Sequence, residues 1–198
     1  MHGLVNRALQ CFLRDTYPPQ VWRDLASELG IGRDGFEAML DYPEPLARRF
    51  LALAADRLGK PDLVLLEDLG AYLVGREAIR RLLRFGGSSY PDFLLSLEDL
   101  PDRVALALPE LRLPALAVRA VAGGHYRVTV APAADGTLPP ELVTPVLAGL
   151  LRAMADDYGA LVFLDFATLA DGGAEIALVL LEDRYAPGRG FRLAATVA

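Results

Sequence analysis

Residues 97–104 read LEDLPDRV and residues 108–114 read LPELRLP, and the pattern of the whole chain changes across this stretch. Before it, apolar side chains recur three and four residues apart, as they do on one face of an α-helix. After Pro114, short apolar runs are separated by Gly, Asp or Pro, which is typical of strands joined by turns. The stretch therefore separates a helical half of the chain from a strand-rich half.

The N-terminal part of the helical half predicts three helices. Apolar positions on the first share one stripe and are Leu4, Val5, Ala8, Leu9 and Phe12. Pro18 and Pro19 can open a second helix that Gly30 ends, and Pro45 can open a third that Gly59 ends, because proline suits the first helical turn and glycine the position after the last.

Further helical segments are predicted on either side of the third helix. Asp34 can cap a short turn that holds Phe36, Met39 and Leu40. The spacing then predicts two helices at about 62–69 and 71–85, and Pro91 begins a short one that reaches Leu97.

The strand-rich half predicts an antiparallel sheet with one inserted helix. The predicted strands are 115–121, 125–131, 160–167, 174–182 and 190–197. Gly123-Gly124 and residues 171–173 provide turns between them, and Pro139-Pro140 introduces a helix that carries a wide apolar face. Helices followed by a sheet indicate an α+β fold. We expect a single domain over 1–198, with a helical part at about 1–110 and a sheet-plus-helix part at about 111–198.

Composition excludes several classes of protein. The net charge is −6, and the 20 Lys and Arg residues are interleaved with acids, so the chain lacks the basic patch of a nucleic-acid-binding protein. A single cysteine, Cys11, cannot form an internal disulfide or a cysteine-cluster metal site. The N-terminus does not read as a secretory signal, and no apolar run approaches the length of a membrane span. These features predict a cytoplasmic protein without a membrane span.

The sequence offers little material for catalysis. It contains two histidines, His2 at the terminus and His125 beside a predicted turn, and we expect His125 to be a solvated turn residue. Adjacent acids such as Asp156-Asp157 point in different directions on a helix, so they do not form a catalytic pair. We therefore expect that the protein is not an enzyme. Four arginines at helical spacing are interpreted as a solvated helix face, the alternative being a group that neutralizes a ligand carboxylate: Arg76, Arg80, Arg81 and Arg84.

The opening stretch and several others resemble the heme-nitric oxide/oxygen-binding (H-NOX) family. In that family a leucine precedes the heme-ligating histidine, Arg-Val follows two places on, and Pro-Glu-Leu-Arg-x-Pro comes shortly after, as in residues 100–114 here. Residues 3–6 (GLVN), 70–72 (GAY) and 90–94 (YPDFL) resemble the family's distal helix, Gly-x-Tyr segment and Leu-Pro-x-Phe-Leu segment. The resemblance implies an H-NOX-like sensor domain.

Two departures from the family pattern concern the cofactor. Pro101 stands where the family has its heme-ligating histidine, and proline has no side-chain donor for iron. The family's Tyr-x-Ser-x-Arg motif, which binds the heme propionates, corresponds to residues 128–135 (VTVAPAAD), where neither the tyrosine nor the arginine is present. We therefore expect no cofactor in the family's usual manner, with heme held by His2, His125, Cys11 or no protein ligand as the alternative.

The resemblance also implies which residues line the heme-type pocket. They are apolar and comprise Val5, Leu9, Leu73, Phe93, Leu97, Pro101, Pro114, Val146 and Leu147. A cavity large enough for heme would cost free energy if it stayed empty. Either a hydrophobic or amphipathic small molecule such as a fatty acid fills it, or side chains collapse into it. The first alternative predicts a ligand-binding sensor that signals to a histidine kinase or a cyclic-nucleotide enzyme. The second predicts a ligand-free protein-interaction module.

Overall fold

The computed structural model describes residues 3–32, 34–134 and 136–190. It divides into two compact units, Met1–Leu69 and Gly70–Ala198. The division falls earlier in the chain than the change from helices to strands, because the helices after residue 70 belong to the same hydrophobic core as the sheet. No helix in the described ranges is long and apolar enough to cross a bilayer.

The first unit is helical. Its helices are α1 (Gly3–Thr16), α2 (Pro19–Leu29), α3 (Glu44–Leu58) and the first part of α4 (Asp62–Val74). The predicted start and stop signals are confirmed, since α2 and α3 carry proline in their first turn and end at Gly30 and Gly59 in the left-handed conformation. Trp22, Phe36 and Phe50 form the aromatic center of this unit, with ring centroids of Phe36 and Phe50 separated by 5.1 Å.

Gln10 ties the segment after α2 to α1. Its side-chain Oε1 accepts a hydrogen bond of 2.8 Å from the backbone N–H of Phe36, and Gln10 is fully buried. The turn expected to hold Phe36, Met39 and Leu40 together is only partly correct: Phe36 is buried, whereas Met39 and Leu40 are exposed. The hydrogen bond from Phe36 to Gln10 therefore holds this irregular segment against α1, and the exposed Met39 and Leu40 add no buried apolar contact.

The second unit contains a four-stranded antiparallel sheet. Strands β1 (Leu116–Val121), β2 (His125–Val130), β3 (Leu161–Thr168) and β4 (Ala174–Glu182) lie in the order β1-β2-β4-β3. The four strands agree with the predicted ranges within a residue at each end, and the α+β fold is confirmed. Residues 191–197 of the fifth predicted strand lie outside the described residues.

Helix α8 (Pro140–Tyr158) connects β2 to β3, as predicted. Its residues Leu147 and Leu151 pack in one core with Val128 and Ile176 of the sheet. Pro145 lies inside α8, where it removes a backbone N–H from the helical hydrogen-bond ladder. The inserted helix therefore covers the inner face of the sheet.

Helices between α4 and the sheet correct two expectations. The predicted break near residue 70 is wrong: α4 continues through Gly70 to Val74, and α5 (Glu77–Arg84) follows. A Cβ atom at Gly70 would lie 2.0 Å from the carbonyl oxygen of Val146, so glycine is needed here for close helix packing rather than as a helix end.

The helical segment predicted to begin at Pro91 extends further than expected. Helix α6 (Tyr90–Leu95) is followed by a 3₁₀ turn (Ser96–Asp99) and by a helix that the sequence analysis did not predict, α7 (Leu100–Ala107). Helix α6 itself ends at Leu95, two residues before the predicted end, and the helical path continues because Pro101 fits the first turn of α7.

Candidate ligand-binding site

Pro101 lies in the first turn of α7. It is half-buried and follows Leu97 and Leu100, which are both buried. A backbone N–H in a first helical turn has no partner within the helix, so proline is tolerated there. Its ring presents carbon atoms only, and position 101 therefore supplies no donor for a metal ion.

Arg103, two residues further on, already has partners. One Nη atom donates to the carbonyl oxygen of Ser96 at 2.9 Å, and the other donates to the carbonyl oxygen of Leu82 at 3.4 Å. These bonds attach α7 to the turn before it and to the end of α5. Both Nη atoms of Arg103 therefore bind the local backbone, while its buried Nε atom has no hydrogen-bond partner in the described chain.

The end of β2 provides no replacement for the family's propionate-binding residues. Val128 and Val130 point inward and are fully buried. Beyond the strand, the backbone N–H of Ala131 donates to the carbonyl of Ala115, and residues 131–134 contain no side chain with a hydroxyl or a guanidinium group. The described part of this segment therefore offers no side-chain anchor for a carboxylate.

The sheet unit brings three of the predicted lining residues together. Phe93, Leu97 and Leu147 are at most 4% exposed and belong to one continuous hydrophobic core. Pro114 is also buried, whereas Leu73 and Val146 are partly exposed. Tyr90 closes one side of this core and donates its hydroxyl to the carbonyl of Leu151 at 3.0 Å; its burial raises the pKa of the phenol.

Helix α1 carries the remaining predicted lining residues. Leu9 is buried and Val5 is half-buried. Between them Asn6 is 2% exposed, and within the described chain its Nδ2 atom has no hydrogen-bond acceptor. A buried donor without a partner costs free energy unless another group satisfies it.

A buried carboxylate is the feature that sequence reasoning missed. Asp157 of α8 is 1% exposed and accepts a 2.7 Å hydrogen bond from Nε of Arg80, and it lies 3.6 Å from Nε of Arg84. This contact raises the pKa of the Arg80 guanidinium. The interpretation of a solvated arginine face is wrong for Arg80 and Arg84, which face the core, and holds for the exposed Arg76 and Arg81.

Arg80 and Asp157 also bind the segment that follows β4. The Arg80 guanidinium donates to the carbonyl of Gly190 at 3.1 Å, and the backbone N–H of Arg189 donates to the carbonyl of Asp157 at 2.9 Å. The i, i+4 spacing of Arg80 and Arg84 could have suggested a shared partner, but nothing in the sequence indicates an acid 77 positions away.

His125 does not fit a buried heme iron. It is exposed at the first position of β2, beside the turn that follows β1, and its strand parity places it on the outward face of the sheet, opposite the core. Cys11 is a half-buried free thiol on α1, and His2 lies outside the described residues. Among the described residues, three or more acidic, histidine or cysteine side chains do not gather anywhere in a metal-binding group.

Comparison with known proteins places these observations in a family. The family model described as Haem-NO-binding matches residues 2–129, which is well over half of the chain. The chain belongs to this family. Its fold is that of H-NOX domains, which are sensor domains rather than catalytic ones.

Solved H-NOX structures resemble the chain over nearly its whole length. An H-NOX protein from S. oneidensis in an Fe(II) ligation state is 16% identical, with 93% of this chain and 98% of that chain covered at a TM-score of 0.75. A variant of the H-NOX protein of T. tengcongensis is 15% identical, with 92% and 99% covered at a TM-score of 0.73. At these identities the likeness establishes the fold.

A curated relative comes from a signaling enzyme. Soluble guanylate cyclase gcy-31 of Caenorhabditis elegans is 22% identical over 117 residues, which are 58% of this chain. The match covers 17% of that protein, so the chain spans about one sixth of its length.

Proposed function

We propose that this H-NOX domain senses a hydrophobic or amphipathic small molecule, such as a fatty acid, and does not hold heme through a proximal ligand. The observation that carries the proposal is the place of Pro101 in the first turn of α7, where it offers no donor. Both Nη atoms of Arg103 donate to backbone carbonyls, which holds this cation against the local backbone.

The apolar character of the site supports this choice of ligand. Phe93, Leu97 and Leu147 provide an aromatic and aliphatic lining in the sheet unit, and such linings suit apolar ligands that a few polar groups orient. The assignments of Val5, Leu9, Leu73, Pro114 and Val146 stay predictions from the family resemblance.

A ligand-free interaction module is the second candidate. It is favored by the near-complete burial of Phe93, Leu97 and Leu147 in a single continuous core. Such burial is expected if side chains have closed the pocket. A heme-based sensor with a non-standard ligand has less support, because His125 faces outward and only His2 and Cys11 would remain.

The signaling partner belongs to the proposal as well. The relationship to a soluble guanylate cyclase supports a cyclic-nucleotide enzyme as the output. A histidine kinase stays a prediction from the resemblance. In either case a ligand must bind two arrangements of the domain with different affinity, and a coupling free energy of about 1–3 kcal/mol is typical of such switches.

The test combines absorption spectroscopy with mass spectrometry. The protein is expressed with supplemented heme and purified, its Soret absorbance is measured, and its organic extract is analyzed. We expect no stoichiometric heme and one defined amphiphile in the extract. A Soret band with one heme per chain would contradict the proposal, and a colorless protein with an empty extract would favor the closed interaction module.

A matched pair of variants tests position 101 itself. Pro101→His restores the family's ligand at the start of α7, whereas Asp102→His places the same imidazole on the adjacent, exposed position. If the apolar lining encloses a heme-sized volume, Pro101→His gains Soret absorbance and Asp102→His does not. Absence of a gain in both variants would count against an open pocket.

A further inference from the structure

The outward face of the sheet is a regular array of side chains that the fold leaves exposed. Odd-numbered positions of β1, β2, β3 and β4 point outward, while the even-numbered positions face the core beneath α8. The strand register arranges the outward positions in three rows across the sheet, and we call this array the outer sheet face. Its rows are 121-125-179-163, 119-127-177-165 and 117-129-175-167, each in the order β1, β2, β4, β3.

One end of the outer sheet face is largely apolar. Val121 is 55% exposed at its β1 edge and Phe163 is 64% exposed at its β3 edge, with His125 and the half-buried Val179 between them. Leu161 and Leu181 extend the apolar band at the same end, where a register shift interrupts the pairing of β3 with β4. Contiguous exposed apolar side chains on one face of a sheet are typical of an interaction surface.

The middle and far rows divide the face by charge. Arg119 and Arg127 lie on the β1 and β2 side, whereas Asp165 and Glu175 lie on the β3 and β4 side. Arg127 and Glu175 approach to 3.3 Å within the sheet, and both charges remain partly exposed. The face is therefore basic on one lateral half and acidic on the other.

We propose that the outer sheet face binds a second copy of this chain about a two-fold axis that runs parallel to the strands, between β2 and β4. This axis places β1 opposite the partner's β3 and β2 opposite the partner's β4 while each row faces itself. The basic half of each copy then covers the acidic half of the other. Across the interface, Arg119 faces the partner's Asp165 and Val121 faces the partner's Phe163.

The sizes of the facing side chains also match. Phe163 meets the smaller Val121, Arg127 meets the partner's Ala177, and Ala117 meets the partner's Ala167. Packed sheets interdigitate about 10 Å apart, and a large residue opposite a small one allows this without overlap.

Charge also excludes the other simple two-fold arrangement. An axis in the plane of the face but perpendicular to the strands would place Arg119 opposite the partner's Arg119 and Asp165 opposite the partner's Asp165. Like charges that face each other across an interface disfavor association. The parallel axis therefore predicts that a charge reversal at position 119 weakens the homodimer, whereas the perpendicular axis predicts no such loss, because position 119 would still face a like charge.

The area of the outer sheet face indicates how tightly two copies are expected to bind. Four strands about 4.8 Å apart, with six residues that rise about 3.3 Å each, form a face of roughly 400 Å² before side-chain relief is counted. Side-chain relief brings the total for two copies to about 1,000 Å², the lower end for a specific interface. We therefore expect a weak dimer with a dissociation constant in the micromolar range.

Sedimentation velocity of the full chain tests the proposal over concentrations from about 5 µM to 0.5 mM, which bracket the expected dissociation constant. The wild-type chain is expected to dimerize, and Arg119→Asp alone or Asp165→Arg alone is expected to weaken the dimer about tenfold or more. An equimolar mixture of the two single variants is expected to form a heterodimer, because each facing pair then combines opposite charges. The double variant is expected to dimerize with itself.

Two controls keep the result specific. Phe163→Glu removes the largest side chain of the apolar band and should abolish the dimer, whereas Arg112→Asp makes the same charge change as Arg119→Asp at an exposed position off the sheet. Far-ultraviolet circular dichroism of each variant verifies that it is folded. A wild-type chain that stays monomeric throughout, a stronger dimer with Arg119→Asp, or a mixture without heterodimer would each overturn the proposal.

Discussion

The Nε atom of Arg80 donates a hydrogen bond to Oδ1 of Asp157 across 2.7 Å, and both side chains are buried although 77 positions separate them in the chain. Arg84 lies beside the same carboxylate and places its guanidinium 4.0 Å from the center of the Tyr158 ring. The carboxylate of Asp157 thus lies beside two arginines that α5 directs into the sheet unit, and Glu77 provides a second acid 3.5 Å from Arg80.

Replacement of Asp157 by Asn is expected to destabilize the protein by about 3 kcal/mol, because it removes the buried carboxylate beside Arg80 and Arg84 and leaves Arg80 paired with the exposed Glu77. Urea unfolding followed by circular dichroism measures the loss. Asp156→Asn is the matched control, since Asp156 is the adjacent acid on α8 and is exposed. Equal stability of both variants would show that the buried pair contributes little.

Replacement of Gly70 by Ala is expected to cost about 1–3 kcal/mol, because the added methyl group would meet the backbone of α8 and force the helices apart. Gly32→Ala provides the control, as the space around that glycine is open. A Gly70→Ala variant with wild-type unfolding midpoint would mean that α4 and α8 do not approach as closely as described.

How far the sequence predicted this molecule depends on the range of the interactions involved. Periodicity and turn residues predicted α1, α2, α3, α8 and the four described strands, because those signals are local. The continuity of α4 through Gly70 was missed, since a helical glycine chosen for close packing looks like a helix end in one dimension. The burial of Arg80 was also missed, because its partner Asp157 is remote in the chain.

For the candidate site, the family resemblance predicted that Phe93, Leu97 and Leu147 line a ligand pocket. All three are buried, and their role as pocket lining stays a prediction. The sequence did not predict that Arg103 binds backbone carbonyls or that Asn6 is a buried donor, because both properties depend on tertiary contacts.

Replacement of Ser89 by Ala removes the capping box of α6. Ser89 Oγ accepts from the backbone N–H of Asp92, and Asp92 Oδ2 accepts from the backbone N–H of Ser89. Loss of such a cap typically costs about 1 kcal/mol. Ser27→Ala, at an exposed serine of α2, serves as the control in the same unfolding assay.

The capping box also predicts a dependence on pH. Hydrogen bonds from Ser89 hold the pKa of the Asp92 carboxyl below its ordinary value. A lowered folded-state pKa contributes stability that is present above the unfolded-state pKa of about 3.9 and is lost as the pH falls through the folded-state pKa. The difference in stability between wild type and Ser89→Ala should therefore shrink between neutral pH and the acid range. A difference that stays constant would contradict the role of Asp92.

Replacement of Gln10 by Leu is expected to cost about 1–3 kcal/mol, because the buried N–H of Phe36 loses its acceptor. Gln20→Leu is the control at an exposed position of α2. Trp22 packs against Phe36, so tryptophan fluorescence should report the same loss. Unchanged stability would indicate that another acceptor replaces Gln10.

Pro145 has a consequence for the rate at which α8 opens. A proline at this position has no amide hydrogen, and the amides of the first helical turn lack acceptors within the helix. The amides of Leu142 and Val143 donate to the carbonyl of Pro139, whereas the missing amide hydrogen of Pro145 leaves a gap in the helical ladder one turn later. Slow amide hydrogen exchange in α8 should therefore begin at Val146 and Leu147, and the turn before them should exchange in fast local openings that leave the rest of the helix intact.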